Sequence, residues 1–213
     1  MKAIKSLIGL MLVFALSCAL LSCSSSEVDE EEVKTAAKEL IEGSFIINEI
    51  FYGNGIPTVG EEEPEGYKEA DPVFLSKYGL SDIESLKNMT KKVYSTAMSD
   101  AIFRTKLSAV SDNGVIISYA RYYQSSEEDG GDVGGKLMVL SGAEALFDEK
   151  NEYIYDTLTV ESVKNGRVTL SVDVNVINSE EKSQKVTNNI TLVYENDAWR
   201  LDTLTFIKYN NHK

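Results

Sequence analysis

Aliphatic residues occupy alternate positions at Val168, Leu170, Val172, Val174 and Val176, with Thr169, Ser171, Asp173 and Asn175 between them. A period of two sends the two sets to opposite faces of a β-strand. One face is apolar and the other wet, as in an antiparallel sheet covered on a single side. Just upstream, Lys164-Asn165-Gly166-Arg167 reads as a hairpin turn, because Asn-Gly accepts the positive φ values of a type I′ turn. The turn joins strands over residues 153–163 and 168–178. A sheet with one apolar face needs a second layer to cover it.

The covering layer lies upstream. Val33, Ala37, Leu40, Ile47 and Phe51 fall on one helical stripe, widened by Ala36, Ile41 and Ile50, and predict a helix over about 30–52. Gly43-Ser44 predicts a kink or break in its middle. Gly53-Asn54-Gly55-Ile56-Pro57 ends it. Residues 58–71 read as a mobile polar loop, and 72–75 as a short extended piece. Ser81-Asp82-Ile83-Glu84 reads as a capping box with Ser81 as N-cap. The helix it opens should turn Ile83, Leu86, Val93, Ala97 and Ala101 inward, with a further turn over 100–107. From Val115 the period changes to two, and strands are expected over 115–123, 136–140, around Val186, Ile190, Leu192 and Tyr194, and from Trp199 to Lys208. Helices first and antiparallel strands afterwards give an α+β fold, with N-terminal helices packed on one face of a curved antiparallel sheet.

The N-terminus carries Lys2 and Lys5, an apolar run over 7–21, then Leu20-Leu21-Ser22-Cys23 and an abruptly polar Ser24-Ser25-Ser26-Glu27. A charged start, a short apolar core and small residues at its end make a secretion signal. The run is short of the roughly 20 residues a membrane-spanning helix needs. With Cys23 placed directly after it, the segment resembles a bacterial lipoprotein signal, whose final cysteine becomes lipidated. Cys18 offers a second such cysteine, but cleavage there would leave Ala19-Leu20-Leu21 in water. A plain cleaved signal would leave Cys23 as an exposed thiol. The organisation expected is a signal peptide over 1–22, a lipidated cysteine and acidic spacer over 23–32, and a single α+β domain over 33–213. The resemblance implies an extracytoplasmic protein, lipid-anchored to the cell membrane or outer membrane.

Composition narrows the chemistry. The only cysteines are Cys18 and Cys23, so the domain has no disulfide and no thiolate site. The only histidine is His212, beside the C-terminus. Histidine-dependent nucleophilic catalysis and zinc binding both lack their usual residues. No catalytic residue, metal site or cofactor is expected, and the chain reads as a non-enzyme. The formal net charge is −13, and removal of the signal with Lys2 and Lys5 makes the remainder more acidic still. Such a charge opposes nucleic-acid binding and favours a basic partner, or serves solubility alone.

The closing stretch Asn196-Asp197-Ala198-Trp199-Arg200-Leu201-Asp202, after helices and antiparallel strands, resembles the cystatin-like and NTF2-like superfamilies. Phe74-Leu75-Ser76-Lys77-Tyr78, Ile83-Glu84-Ser85-Leu86, Val93-Tyr94-Ser95 and Ala101-Ile102-Phe103, with Leu192-Val193-Tyr194 and Trp199-Arg200-Leu201, resemble the IseA-type inhibitors of cell-wall DL-endopeptidases. The resemblance spans most of 33–209. It implies a non-catalytic module that binds an envelope protein such as a cell-wall hydrolase. The alternative is an NTF2-like pocket for a small-molecule ligand.

Two segments offer partner contacts. Ile56 and Pro57 stand on a glycine-rich turn, either presented as apolar anchors or folded back as a helix cap. Glu61, Glu62 and Glu63 would complement a basic cleft. The segment 127–135 mixes carboxylates and glycines as calcium loops do, but without the EF-hand spacing, and a solvated loop is the other reading. Tyr119, Tyr122, Tyr123, Tyr153, Tyr155 and Tyr194 sit on or near strands. They pack a half-buried face with hydroxyls toward water, or line a pocket. The anchor has a direct test: a Cys23→Ser protein is expected in the soluble fraction, and its sedimentation with membranes would refute lipidation at that residue.

Overall fold

The structure, a computed structural model, describes residues 28–112, 115–125 and 135–209. Cys23, His212 and nearly all of the 127–135 segment lie outside the described residues.

The valine-rich strand is the centre of the larger sheet. β7 (Lys150–Lys164), β8 (Arg167–Ile177), β9 (Ser183–Glu195) and β10 (Ala198–Leu201) form an antiparallel meander in the order β10-β9-β8-β7. The β7–β8 hairpin closes on the pair Lys164↔Arg167, with Asn165 at φ 53° and Gly166 at φ 72°, as a type I′ turn requires. Val168, Leu170, Val172, Val174 and Val176 are all buried, at 0–1% exposure. Pairing puts Leu192 beside Val168, Ile190 beside Leu170 and Leu201 beside Leu192, so all share that face. The wet face carries polar cross-strand pairs, such as Asp173 with Lys185 at 2.8 Å and with the Thr187 hydroxyl at 2.8 Å. The Lys185 ammonium, then the Thr187 hydroxyl, holds the Asp173 carboxyl below the usual carboxylate range.

Helix α1 (Glu30–Phe51) lies against the apolar face. Near its start, Glu32 accepts a hydrogen bond from the Trp199 indole of β10 at 3.2 Å. Further along, Lys38 sits 5.3 Å over the Tyr155 ring, and Phe45 lies 6.0 Å from Tyr153, both on β7. Trp199 pairs with Tyr194, two residues from Leu192, and Tyr153 pairs with Val174. The contacts are therefore on the valine side, and α1 crosses it from β10 to β7. Its buried stripe is Val33, Ala37, Ile41, Ser44, Ile47, Asn48, Ile50 and Phe51. Ile41 takes the central place expected of Leu40, which is only half-buried. The expected break at Gly43-Ser44 does not occur. Gly43 packs so closely on the next layer that an added Cβ would lie 3.2 Å from Val93, and the Ser44 hydroxyl donates back to the Ile41 carbonyl at 2.6 Å.

The end of α1 is held by Arg121, a residue 6% exposed, whose guanidinium donates to the carbonyls of Phe51 at 3.2 Å and Gly53 at 2.7 Å. A cation suits the negative end of a helix. Gly55, at φ 86°, passes so near that a Cβ there would sit 2.7 Å from Arg121 Nη2.

The region 58–78 differs from expectation. Its polar stretch contains β1 (Thr58–Val59) and β2 (Tyr67–Ala70), and β2 pairs with β6 (Leu137–Leu140). With β5 (Tyr122–Gln124) they make a second antiparallel sheet, in the order β1-β2-β6-β5. Two buried residues, Tyr67 and Ala70, anchor β2 despite its acidic surroundings. Residues 72–75 are helical, in α2 (Pro72–Tyr78), because Asp71 caps the helix and proline is tolerated at its first position. In α3 (Ile83–Val93) the capping box sits one residue later than expected, with Asp82 as N-cap and Ser85 as its partner. The chain then leaves helical geometry at Tyr94, which bridges in parallel to Leu201, and Ser95 caps a separate helix, α4 (Thr96–Lys106). That break turns Ser99 and Ile102 inward and leaves Ala97 exposed. β3 (Val110–Asp112) and β4 (Val115–Ser118) form a two-stranded ribbon. The last strand ends at Leu201, not near Lys208, because the chain leaves the sheet to meet α1.

The described chain is thus α+β, with helices on antiparallel sheets. The load on the valine face is measurable. Leu170→Ala is expected to cost about 2–5 kcal/mol in urea unfolding with an unchanged m value, whereas Val163→Ala, at a 51% exposed position, should stay within about 0.5 kcal/mol.

Candidate functional site

After β10 the chain turns from the sheet toward α1, and Thr205 becomes buried at 1% exposure. Apolar surroundings oblige every polar atom there to find a partner. The Asn48 amide nitrogen donates to Thr205 Oγ1 at 2.7 Å, and the Tyr94 hydroxyl donates to Asn48 Oδ1 at 2.7 Å. Ser44 Oγ and Thr205 Oγ1 lie 2.5 Å apart. Since the Ser44 proton goes to the Ile41 carbonyl, Thr205 must be the donor in that pair. All the hydrogen bonds then run one way, from Tyr94 through Asn48, Thr205 and Ser44 to a helix carbonyl. Tyr153 adds a short hydrogen bond to the Thr205 carbonyl and accepts one from Asn188 at 3.4 Å. Its hydroxyl therefore points into the protein and not to water.

Burial is the main cause of the Tyr94 phenol being pushed up to about 12, against smaller opposing effects of its hydrogen bonds. Burial likewise raises Tyr153. Both stay protonated at neutral pH, as a donor requires.

Asn48 and Thr205 also form the floor of a cleft of about 280 Å³. Its walls are Phe45 of α1, Phe147 and Phe206, with Glu49, Glu149 and Lys150 at the rim. Phe147 and Phe206 stack at 4.7 Å and 10°, and Tyr52 packs on Phe206 at 5.1 Å. The segment carrying Phe206 is pinned by a side chain that imitates a strand: Asn151 accepts from the Ile207 amide at 2.6 Å and donates to its carbonyl at 3.0 Å. The Tyr209 amide donates to Glu149 at 2.8 Å. Phe45 remains 41% exposed and Leu146 45% exposed. Aromatic walls over a few fixed polar atoms suit recognition of an apolar group. The floor hydroxyls already hold defined partners, so they act as oriented dipoles.

The residues singled out in the sequence lie elsewhere. Ile56 is buried at 2% exposure, and its amide donates to the Tyr122 hydroxyl at 3.2 Å, so its side chain is turned inward as in a folded-back helix end. Pro57 is exposed, and its carbonyl accepts from the Asp71 amide. Glu61, Glu62 and Glu63 are exposed in the connection between β1 and β2. Glu62 lies 3.9 Å from Lys68, and Glu63 accepts from Tyr123 at 3.1 Å. Glu61 and Glu63 border a separate hollow of about 160 Å³ with Glu69 and Lys136. Among the described residues, no group of three or more His, Cys, Asp or Glu is placed to hold a metal ion. Phe45 had a sequence signal, as a large apolar residue off the α1 stripe. Phe147, Thr205 and Phe206 had none, because only the returning chain brings them to α1.

In comparisons with known proteins, no family model, no curated sequence and no solved structure matches this chain.

The hydrogen-bond chain has a pH signature. Below about pH 10 the Tyr94 phenol is protonated in both the folded and the unfolded chain, and stability is unaffected. Between about pH 10 and about 12 only the unfolded chain releases the proton, so stability falls with rising pH. Tyr94→Phe should lower stability at pH 7 by about 1–3 kcal/mol, since Asn48 Oδ1 loses its donor, and should flatten part of the alkaline decline in urea titrations. A decline as steep as in the wild type would refute the assignment.

Proposed function

We propose that this chain is an extracytoplasmic lipoprotein, anchored through Cys23 to the cell or outer membrane, whose cystatin/NTF2-like domain binds another envelope protein without catalysis. The observation that supports it is the aromatic cleft: Phe45, Phe147 and Phe206 stand over the fixed polar atoms of Asn48 and Thr205. A partly exposed aromatic recess of this size fits one apolar side chain of a partner, the usual anchor of a protein–protein contact. The placement of α1 across the valine face favours this reading over the alternative of a small-molecule pocket enclosed by the sheet, since the helix occupies that space. The sharpest form, carried by the resemblance to the IseA-type inhibitors, is restraint of a cell-wall DL-endopeptidase.

The test is titration of the purified protein into peptidoglycan digestion by DL-endopeptidases of the same cell. Stoichiometric inhibition is expected, and Phe45→Ala should weaken it about tenfold or more, as loss of a binding anchor does. Phe45 is partly exposed, so the substitution should leave the fold intact. Neither inhibition nor binding would refute the inhibitor reading. Inhibition unaltered in Phe45→Ala would remove the cleft from it.

A further inference from the structure

A second recess has the opposite chemistry. It lies between α3, the end of α4 and β5, with a volume of about 380 Å³, and Ile83, Phe103, Leu107 and Tyr122 supply its apolar surface. Among the described residues, the charged side chains that line it are Lys87 and Arg104, and no carboxylate does. A third cation, Lys91, stands 6.0 Å over the Phe103 ring. In a chain of net charge −13 such a grouping runs against the average.

Among the described residues the compensation of Lys87 and Arg104 is weak. Lys87 meets Glu84 of its own helix at 3.9 Å, an exposed pair with Glu84 67% exposed, and such pairs contribute little. Asp100 lies one turn before Arg104, yet the two form no ion pair among the described residues. Arg104 itself is exposed. Screening decides which charges a visitor feels: the Debye length is about 8 Å at physiological ionic strength. A ligand seated on Phe103 therefore meets Lys87 and Arg104 in the recess wall itself, whereas the nearby Glu84, Asp100 and Glu63 do not line it. Guanidinium forks bind carboxylates in a bidentate way, while the Phe103 ring offers an apolar contact beside them.

We propose that this recess is a docking site for an acidic peptide segment of a protein partner, one that carries an aromatic or aliphatic side chain next to its carboxylates. The site is separate from the aromatic cleft and would give the module a second point of contact. It extends the protein-binding reading but does not depend on the cleft's occupant.

The experiment uses the full chain in detergent and a fluorescein-labelled dodecapeptide alternating Glu with Phe and Leu, read by anisotropy. A peptide with Gln in place of every Glu is the control. Saturable binding of the Glu peptide is expected, weakened by added salt and at least tenfold tighter than that of the Gln peptide. Arg104→Glu should weaken it at least tenfold, and Lys87→Glu in the same direction. Phe45→Ala should leave it unchanged, and a thermal melt checks that each variant is folded. Equal binding of the two peptides, no binding at all, or Glu-peptide binding unaltered by Arg104→Glu would overturn the proposal. Displacement of the peptide by inorganic polyphosphate at equal charge concentration would overturn it too, by assigning the recess to anionic polymers. Failure here with inhibition still weakened by Phe45→Ala would leave the proposed function standing.

Discussion

The hydrogen bonds linking Tyr94, Asn48, Thr205 and Ser44 join three segments far apart in the chain. Tyr94 marks the break between α3 and α4, Ser44 and Asn48 belong to α1, and Thr205 belongs to the segment after the last strand. In an interior lined with valine and isoleucine each member would be destabilising without the others. Together they fix the angle at which the final segment meets the helix. That angle places Phe206 against Phe147 and Tyr52, and so shapes the aromatic cleft.

The same constraint explains the course of α1. A serine and an asparagine in the buried stripe of a helix are poor choices for packing alone. Here they are the helix's attachment points, and the flanking Ile41, Ile47 and Ile50 cover the sheet. At the helix end a buried arginine, not an acidic partner, satisfies the last carbonyls. Burying Arg121 draws its cation into the second layer of the fold and ties the small β1-β2-β6-β5 sheet to α1. Both polar devices work between layers, which gives the interface direction as well as area.

Charge is divided unevenly over the molecule. Glutamates crowd the connection between β1 and β2, while Lys87, Lys91 and Arg104 gather around Phe103. Net charge describes solubility and approach at long range. At contact distance the local grouping governs, so an acidic protein can offer a cationic recess.

The hairpin at Asn165-Gly166 and the buried set from Val168 to Val176 were legible in the sequence, because a period of two and a positive-φ turn are local properties of the chain. The existence of α1 was legible for the same reason. Its exact face was not: Leu40 and Ile41 are both apolar, and the packing against the sheet chose Ile41. Likewise Ser81 and Asp82 are both good caps, and the register of α3 chose Asp82. The break at Tyr94 has a local part, the Ser95 cap, and a remote one, the bridge from Leu201. Pairing of β2 with β6 and the meeting of Phe45, Phe147 and Phe206 are contacts between distant residues, which no local pattern encodes. The sequence by itself determined α1, the presence of helix over 83–107, the long hairpin and the chemistry that the residue types leave open. Only the tertiary structure decided which apolar and polar side chains meet, because burial and hydrogen bonding between remote segments select among locally equivalent choices.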